Sequence, residues 1–191
     1  MLAVSKGHPS SSIRRFVNQG QLQFGESRFQ EALPKINELN DLQDIRWHFI
    51  GRLQANKVKG VVKNFDVIQS VDSVSLAERI SRISVEESRT LQVMLQVKFR
   101  DDPNKTGFTK ENILSSWSKL NDLKNIKIIG LMTITPLGLD LEARKSVFRD
   151  CRAFANSMGL KDCSMGMSLD WKEAIDAGST WIRVGSLLFG Q

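Results

Sequence analysis

The sequence predicts an α/β protein: one (β/α)8 barrel of the TIM type, a single domain over residues 1–191. Three observations predict it. Short apolar, β-branched runs alternate with longer amphipathic runs, the pattern of parallel strands with helices outside. Eight such runs suit a closed barrel better than an open sheet. The first run ends Ser5-Lys6-Gly7-His8-Pro9, without the glycine fingerprint that follows the first strand of an open nucleotide-binding sheet. At 191 residues the chain is at the small end for such a barrel, which usually needs about 200 or more.

The apolar runs predict strands over Leu2–Lys6, Leu22–Ser27, Ile45–Ile50, Val67–Val71, Leu91–Phe99, Ile126–Ile134, Asp162–Met167 and Trp181–Val184. The amphipathic runs between them predict helices over Ser11–Gln19, Arg28–Leu39, Asn56–Asn64, Ser75–Ile83, Lys110–Leu123, Leu141–Met158 and Trp171–Ala177. Ser11, Ser73 and Thr109 are the expected N-caps, because their hydroxyls can accept from free amides of the first turn. No linker, low-complexity tract or composition shift divides the chain.

Composition narrows the function classes. Hydrophobic residues make 41% and charged residues 25%, the balance of a soluble globular protein. No apolar stretch is long enough to span a bilayer, and the N-terminus lacks the sections of a signal peptide, so a cytoplasmic location without membrane partners is expected. The net charge of +6 is spread along the chain with acids among the bases. It forms no basic block, and no nucleic-acid partner is expected. Two cysteines, Cys151 and Cys163, and two histidines, His8 and His48, fall in no metal-ligand spacing. Both cysteines are read as reduced thiols. The chain has no tyrosine.

In parallel α/β folds ligands bind at the carboxyl ends of the strands. Those ends carry Lys6; Glu26 and Ser27; His48 and Gly51; Asp72; Met132 and Thr133; Gly166, Met167 and Ser168; and Arg183, Gly185 and Ser186. Polar groups and glycines thus converge on one rim, the pattern of a ligand site.

Three features there carry chemistry. Lys6 closes an apolar strand, where partial desolvation would free its amine to attack a carbonyl and form a Schiff base; the alternative is a lysine that snorkels to the surface. Ser164-Met165-Gly166-Met167-Ser168 and Val184-Gly185-Ser186 fall at the seventh and eighth strand ends, where barrels often bind phosphate on backbone amides and hydroxyls; the alternative is two ordinary turns. Arg183 points to the side opposite Ile182 and Val184. Turned inward it needs a partner such as a ligand ring nitrogen, and turned outward it would pair with a helix carboxylate.

The string Trp47-His48-Phe49-Ile50-Gly51-Arg52-Leu53-Gln54-Ala55-Asn56-Lys57 resembles the signature of the pyridoxal phosphate homeostasis protein family, the PLPBP, PROSC or YggS family. Further resemblance lies, in order, in Ala3-Val4-Ser5-Lys6, Phe24–Ala32, Ser70–Ser73, Lys105–Gly107, Gly130–Thr133, Ser164–Ser168 and Gly178–Gly190. It covers essentially the whole chain. It implies a fold like the N-terminal barrel of alanine racemase, with pyridoxal 5′-phosphate (PLP) linked to Lys6. It implies that Ser168, Gly185 and Ser186 hold the phosphate and that Arg183 lies near the pyridine nitrogen. Ser27, His48, Met132 and Met167 complete the implied cofactor site. Family members usually have Asn where this chain has Ser27, and usually carry a helix before the lysine strand. Met1 falls almost on that strand, so the chain is expected to lack the helix, by truncation or by nature, and to expose apolar surface at the barrel base.

The resemblance implies a protein of vitamin B6 and amino-acid homeostasis with no established reaction. An arginine at the ring nitrogen can only donate, which keeps the ring unprotonated and the electron sink weak; racemases of similar barrel shape also use an arginine there, so this alone does not exclude racemisation. Two-base racemisation in similar barrels uses a lysine and a partner's tyrosine, and this chain has no tyrosine to lend. The expectation is a monomeric carrier that yields PLP to small amines or to PLP-accepting apo-enzymes. The alternative is a weak PLP-dependent racemase using Lys6 and His48.

Overall fold

The computed structural model describes residues 1–102 and 105–190. The strands are β1 (Leu2–Val4), β2 (Gln23–Glu26), β3 (Arg46–Phe49), β4 (Val67–Val71), β5 (Leu91–Gln96), β6 (Ile126–Met132), β7 (Asp162–Ser164) and β8 (Arg183–Val184). Among the described residues they form one parallel sheet in the order β7-β6-β5-β4-β3-β2-β1-β8. Each strand lies beside its neighbour in sequence, and β8 returns to β1, with Leu2 opposite Arg183 and Ala3 opposite Val184. The ring closes between β7 and the residues before β8. Ser164 bridges Trp181 in parallel, Met165 N donates to Trp181 O at 3.0 Å, and Arg183 N donates to Gly166 O at 2.9 Å. The predicted barrel is therefore what forms.

Helices cover the outside: α1 (Ser10–Val17), α2 (Phe29–Glu38), α3 (Val58–Asn64), α4 (Val74–Glu86), α5 (Lys110–Asn121), α6 (Leu141–Ser157) and α7 (Trp171–Asp176), followed by the short α8 (Ser186–Phe189). Their apolar stripes explain why. In α4, Leu76, Ala77, Ile80 and Ile83 recur at helical spacing and are buried against the sheet. In α6, Val147, Phe148, Cys151, Phe154 and Ala155 do the same. One hydrophobic core runs between sheet and helices, from Ala3 and Phe24 to Cys163 and Ala174. Cys151 and Cys163 are both free and buried in it. Among the described residues no helix is long and apolar enough to cross a membrane.

The strands are shorter than their apolar runs suggest. β1 stops at Val4 rather than Lys6, β5 at Gln96, β6 at Met132 and β7 at Ser164. Beyond those ends single backbone bonds continue, as from Ser5 N to Gly25 O, Val97 N to Met132 O and Thr133 N to Ser164 O, before the chain turns into loops. Ser73 and Thr109 cap α4 and α5 as expected, accepting from Leu76 N and Asn112 N. Ser11 does not cap α1: the helix starts at Ser10, behind Pro9 in an extended conformation, and Ser11 lies in the first turn. The helix expected from Asn56 opens as a 3-10 turn over Ala55–Lys57 before α3. The α8 turn has no expected counterpart, since four residues are too few to show a period.

Gly166 marks where the chain leaves β7. Its φ is +91°, and a Cβ there would lie 2.5 Å from Ala174 Cβ and 3.1 Å from Trp171 Cα. Gly20 also has a positive φ, +89°, but nothing lies within 4 Å. Gly166→Ala is expected to lower thermal stability by about 3 kcal/mol or more, adding overpacking to backbone strain, and Gly20→Ala by about 1 kcal/mol. Thermal melts of both variants check the difference.

Candidate functional site

Lys6 sits at the corner of a tight turn. His8 N donates to Ser5 O at 3.1 Å, and Gly7 between them has φ +77°, which a glycine adopts without steric cost. Ser5 is fully buried while Lys6 is exposed. The desolvation expected from its place after an apolar strand is therefore absent: the strand ends two residues earlier and the turn lifts the side chain out. Lys6, Gly7, Ser27, Arg28 and Glu31 line a cleft of about 360 Å³. Lys6 and Ser27 are thus brought together. Gly51 allows this rim to form, because a Cβ there would lie 1.9 Å from Ser27 O.

The loops after β7 and β8 also meet. Ser186 Oγ donates to Ser168 Oγ at 3.0 Å. Gly185, which begins α8, packs on β1, where a Cβ would lie 3.0 Å from Val4 O. The β7 loop is pinned by Asp170, which is 5% exposed. Its carboxylate accepts from Met167 N at 2.7 Å and from Thr135 Oγ1 at 3.0 Å. Met167 itself is exposed, and Met132 is fully buried beside Thr133 at the end of β6.

Inside the barrel a hydrogen-bonded chain crosses from β2 to β8. Arg183 Nη1 donates to Ser164 Oγ at 2.8 Å, and Arg183 Nη2 to Thr133 O at 2.9 Å. Ser164 Oγ donates to Gln69 Oε1 at 2.6 Å. The Gln69 amide nitrogen lies 2.9 Å from His48 Nδ1, and His48 Nε2 lies 2.8 Å from Gln23 Oε1. An amide nitrogen only donates and an amide oxygen only accepts, so His48 is the neutral tautomer with its proton on Nε2. β4 and β7 are not neighbours in the sheet, so Gln69 and Ser164 can touch only across the interior. This places Arg183 inward and removes the outward alternative.

Both ends of the chain are perturbed by burial. Arg183 is 4% exposed, and burial lowers its pKa to about 10, which leaves it charged at neutral pH. Its two hydrogen-bond partners are neutral oxygens. A buried guanidinium with no carboxylate bonded to it, and only the nearby Asp170 charge to support it, suits an acceptor at the mouth. His48 is pushed from 6.5 to about 3, first by desolvation and then by Arg46 and the N-terminus. With both nitrogens engaged, it presents no free polar atom to a ligand. Its ring instead lies against Trp181, with centroids 5.1 Å apart.

Sequence reasoning placed Lys6, Ser27, Arg183 and the Ser168–Ser186 pair on this rim. It did not single out Gln69, Ser164 or Asp170 as contacts. A glutamine inside the apolar run of β4 was the available signal, since a polar residue mid-strand in a barrel must find an internal partner.

The family model described as "Alanine racemase, N-terminal domain" matches residues 3–191. The pyridoxal phosphate homeostasis protein of Synechocystis is 46% identical over 196 residues, covering all of this chain and 90% of that protein. The structure of PipY from Synechococcus elongatus with PLP bound superimposes with a TM-score of 0.94 at 44% identity, covering 100% of this chain and 92% of that one. Alanine racemase from Corynebacterium glutamicum shares the fold alone, with a TM-score of 0.71 at 14% identity over 98% of this chain and 54% of that one.

Two predictions follow from the internal chain. Ser164→Ala removes an acceptor from Arg183 and a donor from Gln69, and is expected to cost about 2 kcal/mol in urea unfolding. His48 resists a proton that the unfolded chain accepts below pH 6.5. The unfolded state therefore binds more protons between pH 6.5 and about 3, and stability falls as pH falls through that window. The loss from His48 is about 2 kcal/mol by pH 5. His48→Gln does not titrate there and is expected to flatten the profile by that amount.

Proposed function

The chain belongs to the pyridoxal phosphate homeostasis protein family, and from that premise we propose that it holds PLP reversibly as a Schiff base on Lys6, serving PLP and amino-acid homeostasis without catalytic turnover. The observation that carries the site assignment is Arg183. A buried, charged guanidinium bonded only to neutral oxygens fits a ligand that offers a lone pair, as an unprotonated pyridine nitrogen does. When bound, PLP supplies an aldehyde that condenses with an amine and a ring that can withdraw electrons.

The chain's own residues fit the rest of that ligand. Lys6 offers an exposed amine at the rim. The paired hydroxyls of Ser168 and Ser186, with the close backbone at Gly185, fit a phosphate. Ser27 borders the same cleft as Lys6, while Met132 ends β6 and Met167 lies in the loop after β7. His48 supports the site from within, through Gln69 and Ser164. PipY, solved with PLP bound at 44% identity, supports the assignment.

The racemase alternative needs a second acid/base. His48 cannot serve readily, because a group pushed to about 3 with both nitrogens engaged takes up no proton near neutrality. The chain supplies no tyrosine. An open lysine suits exchange instead: small amines, or the lysines of apo-enzymes, can reach the bound aldehyde carbon from solvent. In this reading the protein works as a cytoplasmic monomer.

Incubation with PLP, borohydride reduction and peptide mass spectrometry are expected to give one phosphopyridoxyl adduct, on Lys6, that Lys6→Ala lacks. Labelling elsewhere would refute the assignment. The double change Ser168→Ala and Ser186→Ala should weaken PLP binding about tenfold or more, as expected for losing hydrogen bonds to a charged group. Single amino-acid enantiomers incubated in deuterated water with the PLP-loaded protein should gain no α-deuterium. Catalytic exchange would overturn the non-enzymatic reading.

A further inference from the structure

The turn that bears Lys6 is gripped by three charged residues, of which Glu31 also borders the Lys6 cleft. Lys35, on α2, is 8% exposed, and its Nζ reaches three oxygens: Ser5 O at 2.9 Å, Glu26 Oε1 at 2.8 Å and Glu31 Oε1 at 3.0 Å. Glu26, at the end of β2, is fully buried and also accepts from Ser5 Oγ at 2.7 Å. Glu31, one helical turn before Lys35, accepts from Gly7 N. The residues on both sides of Lys6 are thus fixed, Ser5 through its carbonyl and hydroxyl and Gly7 through its amide. Both fixings converge on one ammonium.

Such a cluster is costly to bury, which argues for a role beyond filling space. Burial pushes the Glu26 carboxyl up against the lowering pull of Lys35 and Ser5. Its Oε2 is buried with no hydrogen-bond partner, so the carboxylate is incompletely satisfied. Two carboxylates share one lysine, and apolar residues of similar size would cost less. The Gly7 amide is the largest influence on Glu31 and lowers its pKa, which marks that contact as charge-assisted.

We propose that Glu26, Glu31 and Lys35 are positioning residues for Lys6: they clamp the Ser5–Gly7 backbone so that the lysine amine is presented at one place on the rim for attack on an aldehyde. None of them touches the cofactor in this reading. The inference rests on Lys6 being the PLP-anchoring residue. It goes further in assigning the rate of covalent attachment to a device underneath the lysine rather than to the lysine's own surroundings. Holding a nucleophile near its attack position raises the rate without changing ligand contacts.

The test separates attachment from binding. Pyridoxine 5′-phosphate has the ring and phosphate but no aldehyde, so its affinity reports the non-covalent contacts. Borohydride trapping of PLP at Lys6, sampled over time, reports attachment. Exchange of the Gly7 amide in cofactor-free protein reports the clamp itself. Glu31→Ala is expected to speed Gly7 exchange and to slow trapping at saturating PLP, each about tenfold, and Lys35→Met, outside the cleft, to leave pyridoxine 5′-phosphate affinity within about twofold. Glu31→Gln keeps an oxygen for Gly7 N and should restore most of the loss. Lys35→Met should slow trapping at least as much, and Glu31→Ala, on a partly exposed residue, decides the matter if Lys35→Met fails to fold. Trapping at the wild-type rate in Glu31→Ala would overturn the proposal, as would a parallel loss of pyridoxine 5′-phosphate affinity in Lys35→Met. Failure of the unsubstituted protein to be trapped at Lys6 would sink the PLP reading and this inference with it, and it shows before any substitution is made.

Discussion

The barrel closes through two residues of β8 and the short approach to it, and the candidate site depends on that seam. β8 pairs with β1 on one side, and residues 181–183 bond to the end of β7 and the loop after it on the other. The closure places the first and last strands side by side. Lys6 follows β1, while Arg183 lies on β8 with Gly185 and Ser186 just beyond, so residues far apart in sequence share one rim. The loop after β7 brings Ser168 to the same place. A seam this short has little ladder of its own, so side-chain bonds reinforce it. Ser179 Oγ bonds the carbonyls of Cys163, Met165 and Trp181, and Thr180 Oγ1 accepts from Cys163 N.

The interior chain from Gln23 to Arg183 couples that seam to the opposite wall. Each link has a fixed direction, because Arg183 can only donate and Gln69 donates at one end and accepts at the other. A fixed direction leaves His48 one tautomer and Ser164 one rotamer. The low dielectric that strengthens these bonds also makes any break expensive. The result is a rigid floor, charged at one end, beneath a mouth whose lysine is open to solvent.

Fold class was legible because the alternation of apolar and amphipathic runs persists over the whole chain. Strand ends were not, because the strand-like sequence runs past the assigned strands, as at Ser5-Lys6 and at Val97–Phe99, where single backbone bonds such as Ser5 N to Gly25 O and Val97 N to Met132 O continue beyond the ladder. Of the site, Lys6 and the serine and glycine turns were legible from their places at strand ends. The inward orientation of Arg183 was not, since alternation along a two-residue strand gives a side but not its meaning. Gln69 and Ser164 were missed for a related reason: a polar residue inside an apolar run looks like noise until the opposite strand is known. Glu26 was seen at a strand end, but its bonds to Ser5 and Lys35 depend on how α2 folds back over β2.

The contrast between floor and mouth bears on the proposal that the protein holds its cofactor without turning it over. In the proposed site Arg183, charged at neutral pH and able only to donate, disfavours a proton on the ring nitrogen and so weakens the ring as an electron sink. Proton transfer at a substrate carbon needs a base with a free lone pair near neutrality. The one histidine inside the barrel has its lone pair committed to Gln69. What remains is a lysine held by its backbone and open to incoming amines. On the proposed reading, that combination favours transfer of the aldehyde between amines over chemistry on the amine itself. In that same reading, the burial that fixes Arg183 and silences His48 favours holding the cofactor over catalysis with it.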